Sequence, residues 1–387
     1  MLCISSCTSG SDELPQADRT TDTVRTIDPA KAPTLKLGED LEIVADLPSN
    51  LGDQDANFRG FTPDGQLLGT VSLPEKRSGD GVVGGGLIAQ THPVLYDVET
   101  TEFTVLDERE RAKPTQVPTI VGTRDHVVWM ETPETHIASS AFALYSYDRR
   151  SKKVTRLYSA IDPGGRMVGG DDLVVAGDTV YFSRFACCRE RDRGDAAVYS
   201  VPADGSSPAK VLIDGGKFVT LAGDALRYEV KGAGFSRDLT TGETTRLPVS
   251  PRVKEPGFCG AELTDSFETL CMGEPGGDEP GEVVNPVLTI TEHSGRTTRF
   301  TPFPTDSLNN PVPHHVAPVG PWTGVTMTGD GGADRRFLVD LDSRTVKAFP
   351  EDSSFDELNA GGTQALVSMN HGTKAWRQVV VRIPPLS

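Results

Sequence analysis

The chain has 387 residues, with 38 Lys and Arg against 55 Asp and Glu, for a formal net charge of −17. That charge excludes nucleic acid, whose phosphates it would repel, and disfavours adsorption to an anionic membrane surface. A hydrophobic fraction of 36% with 40 Gly and 28 Pro is that of a turn-rich globular protein. No segment approaches the roughly 18 apolar residues of a membrane-spanning helix. The length exceeds what one compact core supports, so two domains or a repeat are expected.

At the N-terminus, Ile4-Ser5-Ser6-Cys7 resembles the lipobox of bacterial lipoproteins, where small residues precede a cysteine that becomes lipid-modified. The resemblance implies an exported, cell-envelope or secreted protein that meets membrane only through a lipid on Cys7. Too few residues precede Cys7 for the apolar core of a signal peptide, so either the leader begins upstream or the match is coincidental. Residues 8–36 are rich in Ser, Thr, Asp, Pro and Gly, a composition that cannot bury enough surface to fold. Residues 1–36 are therefore read as a lipobox-like end and disordered tether, and 37–387 as the folded domain.

Within that domain, seven turn-centred apolar stretches recur, at Pro63-Asp64-Gly65, Thr123-Arg124-Asp125, Ala176-Gly177-Asp178, Ala222-Gly223-Asp224, Thr264-Asp265-Ser266, Val319-Gly320-Pro321 and Gly361-Gly362-Thr363. Second hairpins follow most of them, as at Leu95-Tyr96-Asp97 and Leu144-Tyr145-Ser146-Tyr147-Asp148. Four strands per unit and a period of roughly 35–55 residues predict an all-β fold, a seven-bladed β-propeller. The seventh unit lacks a fourth strand, and Leu41–Leu47 is an orphan strand upstream of the first. Closure predicts that this N-terminal strand completes the last blade, beside residues 376–382. Phe61-Thr62-Pro63-Asp64-Gly65 resembles the aromatic-Ser-Pro-Asp-Gly turn of TolB-type propellers, and Leu144–Asp148 resembles their outer hairpins. That resemblance implies the fold and carries no functional residue.

Cys259 and Cys271 lie six residues either side of Asp265, which predicts that they face each other across a hairpin within disulfide range. Two reduced thiols are the alternative. Adjacent Cys187 and Cys188 admit a vicinal disulfide, a soft-metal site or free thiols, and an oxidising compartment favours the first.

Propeller geometry sorts connections by face. The turns between first and second strands, and between third and fourth, share one face and are short. The remaining connections share the other and are long: 73–93, 131–141, 184–196, 272–286 and 328–336. Long loops on a rigid scaffold are where binding resides. His92, His136, His314, His315 and His371 fall on that face, and His92, His314, His315 and His371 are the candidates for metal-assisted acid–base chemistry. No His-x-His or His-Glu-x-x-His spacing accompanies them. Arg184, Arg189, Arg191 and Arg193 form a basic loop, while Glu274, Asp278, Glu279 and Glu282 form an acidic loop two blades on. Together they offer opposite charged walls for a ligand, unless both are solvated surface. The reading is a monomeric, non-catalytic module without a cofactor that binds a protein or glycan through this face. The alternative is a hydrolase or lyase using a divalent metal at the channel mouth.

Overall fold

The computed structural model describes residues 25–27, 32–72, 90–109, 115–132, 142–160, 167–186, 196–231, 233–246, 258–263, 267–275, 283–292, 297–300, 312–319, 322–328, 334–350, 353–358, 363–371 and 374–385. Every regular element among them is a strand. β1 (Arg25–Ile27) and β2 (Ile43–Asp46) join sheets built from distant parts of the chain. The first sheet then follows, with β3 (Asn50–Leu51), β4 (Gln54–Phe61), β5 (Leu67–Ser72), β6 (Thr91–Tyr96) and β7 (Phe103–Val105). The second holds β8 (Ile120–Gly122), β9 (His126–Glu131), β10 (Phe142–Asp148) and β11 (Lys153–Ala160). In the third are β12 (Met167–Ala176), β13 (Thr179–Ala186), β14 (Ala197–Pro202) and β15 (Lys210–Asp214). The fourth comprises β16 (Gly216–Ala222), β17 (Ala225–Val230), β18 (Ala233–Asp238) and β19 (Thr244–Arg246). β20 (Phe258–Leu263), β21 (Phe267–Pro275), β22 (Val283–Glu292) and β23 (Thr297–Phe300) make the fifth, with β1 along its outer edge. The sixth consists of β24 (Val312–Val319), β25 (Trp322–Thr328), β26 (Asp334–Asp340) and β27 (Thr345–Ala348). The last has β28 (Ser353–Leu358), β29 (Gln364–His371) and β30 (Lys374–Arg382), with β2 outermost.

Each sheet is a chain of antiparallel hairpins, and its two faces pack against the sheets before and after it. In β9, Val127 and Trp129 join Leu68 of the first sheet, while Val128 and Met130 join Leu173, Val180 and Phe182 of the third. A strand buried on both sides loses polar alternation, which is why His126-Val-Val-Trp-Met-Glu131 reads as a continuous apolar run. Six such inter-sheet cores are described, the last joining Leu366 and Val380 to Phe58, Leu67 and Val94.

The head-to-tail closure has the pairing expected of it. Ile43 stands opposite Val381 and Asp46 opposite Val379, antiparallel. Leu47 N–H donates to the Gln378 carbonyl at 3.0 Å, and Arg382 N–H to that of Glu42 at 2.8 Å. The folded part, in contrast, begins earlier in the chain than composition indicated. β1 runs parallel to β23, Leu35 N–H donates to Ala348 O at 2.8 Å, and Leu35 is buried beside Trp322, Leu338 and Phe349. The outermost strands β23 and β27 present unpaired backbone groups, and this segment covers them.

Third-to-fourth-strand turns repeat one device. Asp97, Asp148, Asp238 and Asp340 each accept two backbone N–H groups two and three residues on. The residue four positions after each has left-handed backbone: Thr101 (φ 60°), Lys152 (58°), Gly242 (76°) and Arg344 (64°). Only one of the four is glycine, so the others carry Cβ strain of about 1 kcal/mol each. Lys152→Gly should therefore raise stability by about 0.5–1 kcal/mol, less the entropy glycine adds to the unfolded chain. Chemical denaturation would show it, and a lower midpoint would refute it.

On the same face, Arg149 of the second sheet clamps Asp64 of the first, at 2.8 and 2.7 Å, and reaches Gln66 Oε1 at 2.6 Å. The Arg149 hydrogen bond holds the Asp64 carboxyl down at about 2. A depressed folded pKa contributes stability above the unfolded value near 3.9, and loses it as pH falls through about 2. Asp64 is half-exposed, so the pair is worth about 1 kcal/mol. Asp64→Asn should cost that much at pH 7, and unfolding curves of the two proteins should converge near pH 2.

Candidate functional site

Connections between second and third strands gather at the end of the sheets opposite these turns. The described strand ends bound them at 73–90, 132–141, 187–196, 276–282 and 329–333, with two-residue connections at 231–232 and 372–373. First-to-second-strand connections span 62–66, 123–125, 177–178, 223–224, 264–266, 320–321 and 359–363. The asymmetry expected from the repeat is present, with the fourth and seventh sheets as exceptions.

Two side-chain clusters stand at this end. At the junction of the first and second sheets, Arg109 donates through Nε to both Asp107 oxygens, at 2.8 and 2.9 Å. Its Nη2 lies 3.6 Å from Glu131 Oε1, and its guanidinium stacks 4.1 Å from the Tyr145 ring centre. Both carboxylates are buried; Trp129 Nε1 donates to Glu131 at 2.9 Å. The Asp107 carboxylate raises the Arg109 pKa further, so this cation is permanent.

The second cluster lies between the second and third sheets. Phe142 and Tyr158 come from β10 and β11, and Phe182, Arg184 and Tyr199 from β13 and β14. Tyr158 sits 4.8 Å from Phe182 and 5.3 Å from Tyr199, and Phe182 stacks on Tyr199 at 5.3 Å. Alternation along β13 puts Val180, Phe182 and Arg184 on one side, so the run that builds the core ends in a cation at the connection face. Arg184 Nη1 donates to Tyr158 Oη at 3.5 Å. Burial works against the Arg184 charge, but the oxygens of Tyr158 and Tyr199 outweigh it and the guanidinium pKa is raised. Burial raises the Tyr158 hydroxyl pKa as well.

Of the predicted residues, Arg184 belongs to strand β13, opposite Ala197, rather than to the connection that follows it. His92 is a strand residue, buried in β6, where Nδ1 donates to Asp107 O at 2.8 Å and Nε2 accepts from Gln90 at 3.1 Å. With both nitrogens hydrogen-bonded it fastens the segment after β7. His314 and His315 open the inner strand β24, at a register shift, and His371 ends β29, where it pairs with Lys374. Glu274 belongs to strand β21, opposite Val284, rather than to a loop. Arg189, Arg191, Arg193, Asp278, Glu279, Glu282, Cys187, Cys188, His136 and Cys7 lie outside the described residues. Among the described residues there is no cluster of three or more metal-ligating side chains.

The direct opposition of Cys259 and Cys271 expected from symmetry does not hold in the backbone register. Cys271 stands opposite Gly260, and Cys259 falls in a bulge between Phe258 and Gly260. Similar shifts interrupt β4, β12, β16, β24 and β28, so counting outward from the turn misplaces the pair. Sequence reasoning also missed the aromatic residues around Arg184 and the Arg109 cluster, because neither forms a local motif.

No protein-family model matches this chain, and no curated protein matches it in sequence. Solved structures match by shape. A prolyl endopeptidase superposes with a TM-score of 0.56 at 10% identity, over 87% of this chain and 51% of that one. The chain thus spans about half the length of that enzyme. The acylaminoacyl peptidase of Pyrococcus horikoshii gives 0.49 at 10% identity, over 84% and 51% of the two chains. The propeller domain of the Trilobed protease from Pyrococcus furiosus gives 0.48 at 7%, over 84% and 95%. At 10% identity the likeness to the prolyl endopeptidase concerns fold alone, and together with the succession of four- and five-stranded sheets closed head to tail it makes this chain a β-propeller.

Proposed function

We propose that this propeller is a non-catalytic binding module of the cell envelope, TolB-like in its turns and anchored through Cys7, whose ligand docks on the long-connection face. The observation that carries the reading is the asymmetry of the connections, long at one end of the sheets and short at the other. A rigid ring with variable segments at one end separates stability from recognition. The ligand is a protein or a glycan. To test it, residues 187–195 and 276–282 are each replaced by Gly-Ser segments, and the turn at 223–224 is replaced as a control. Labelled protein is then applied to envelope extracts and glycan arrays. Capture should be lost with the first two replacements and kept with the control; capture indifferent to both connections would refute the reading. The anchor has its own check. Mass spectrometry of membrane-extracted protein should find diacylglycerol on Cys7, and an unmodified N-terminus would remove that part.

A further inference from the structure

The N-terminal segment meets the ring at a defined end. In the fifth sheet Leu288 stands opposite Phe300 and Thr291 opposite Thr297, so β23 leaves the turn before it at Thr297 and runs toward the connection end. β1 lies parallel to it, with Arg25 beside Thr298 and Ile27 beside Phe300. The chain before Arg25 therefore arrives from the short-turn end, at the outer edge of the fifth sheet. Further along, the segment is fastened to the sixth sheet. Ala348 N–H donates to Pro33 O at 2.9 Å, Leu35 N–H donates back to Ala348 O at 2.8 Å, and Leu35 and Leu41 are buried. β2 repeats the direction, because Ile43 faces Val381, at the end of β30 far from the 372–373 connection.

Only the 17 residues 8–24 separate Cys7 from β1, a length that spans at most about 60 Å fully extended. β21 of the same sheet has nine residues, so the sheet is about 30 Å from end to end. From this we infer that the protein, held through Cys7, turns its short-turn end to the anchoring membrane and its long-connection face away from it, toward a partner in the aqueous phase. The inference rests on the reading of Cys7 as the anchor and of that face as the binding face, and adds the side from which the partner comes. In the reverse orientation the tether has first to run the height of the fifth sheet, which uses about half of its full reach. A chain held that extended gives up conformational freedom. The short turns carry Asp64, Asp97, Asp148 and Asp238, which an anionic surface repels. That repulsion is screened within about 8 Å at physiological salt, so it holds the domain off the surface without turning it over.

The test uses the full chain, extracted with its anchor and reconstituted in phosphatidylcholine vesicles that carry an energy-transfer acceptor on the lipid headgroups. Asp224 and Lys231 are exposed at opposite ends of β17, about 20 Å apart. Each is replaced in turn by an azide-bearing residue and coupled to the donor, which leaves the cysteines untouched. The donor at 224 should transfer to the membrane at a several-fold higher rate than the donor at 231. Equal transfer, or faster transfer from 231, overturns the inference. A Gly-Ser insert of about 30 residues between Val24 and Arg25 should narrow the difference, because the longer tether passes the sheet without being stretched. A difference unchanged by the insert would overturn it too, since the exit point would then not be what orients the domain. If neither donor transfers and the Cys7→Ser protein behaves the same, the anchor reading falls and takes this inference with it. If the connection replacements leave capture intact while the transfer difference stands, the binding reading falls and the orientation is upheld.

Discussion

Gln378→Leu is expected to destabilise the protein by about 3 kcal/mol and to open the ring before it unfolds. Gln378 belongs to β30 of the last sheet and is buried. Its Oε1 accepts from Phe58 N–H at 2.8 Å, and its Nε2 donates to Phe58 O at 2.8 Å and to Ser368 Oγ at 3.0 Å. The amide thus acts as a peptide group inserted between the last sheet and the inner strand of the first, across 320 residues of sequence. It sits where Phe58 begins the register shift of β4, at which the neighbouring strand no longer satisfies the backbone. Leucine has nearly the same volume, so the cost is that of two buried backbone groups losing their partner. Gln378→Glu separates this from packing. The carboxylate still accepts from Phe58 N–H but cannot donate to Phe58 O, so the variant should be intermediate at low pH and worst at high pH. Hydrogen exchange should show the loss first in β2, β4 and β30. A uniform loss of protection across all sheets would contradict the assignment of closure to this residue.

The second large effect is expected from Arg109→Met, which strands the Asp107 and Glu131 carboxylates in the junction of the first two sheets. Breaking a buried pair costs about 3–5 kcal/mol, and the half-exposed guanidinium brings this down to about 2–3 kcal/mol. Without the cation the fully buried Asp107 carboxylate should hold a proton more tightly in the folded state than in the unfolded one. A raised folded pKa gives stability that is present below the unfolded value and lost as pH rises. The deficit should therefore be larger in urea unfolding at pH 8 than at pH 5. A deficit independent of pH would mean that Arg109 acts only through its stacking on Tyr145. Arg109→Lys should recover only part, because an ammonium keeps the charge but not the fork that spans Asp107.

Much of the architecture was legible because propeller strands announce themselves locally. Thr179-Val180-Tyr181-Phe182 after Ala176-Gly177-Asp178 names a hairpin through turn chemistry and β-branched residues alone, and β12 and β13 form it. The orphan Leu41–Leu47 segment was found by arithmetic, since a ring has no tolerance for a missing edge strand. The tether misled for the complementary reason. Composition records how much apolar surface a segment carries, and a single Leu35 with a few backbone hydrogen bonds to Ala348 escapes that measure. The expected opposition of Cys259 and Cys271 slipped by one residue at a bulge, a backbone irregularity that symmetric counting cannot register.

By itself, then, the sequence determined the strand spacing, the turn types and the need for a closing strand, because these follow from neighbours within a hairpin. Which side chains meet at the junctions was decided only by the tertiary structure. Tyr158, Arg184 and Tyr199 sit on separate strands of two sheets, and Gln378 meets Phe58 only when the ring closes. Such contacts depend on the register and facing of whole sheets, and no local period encodes them.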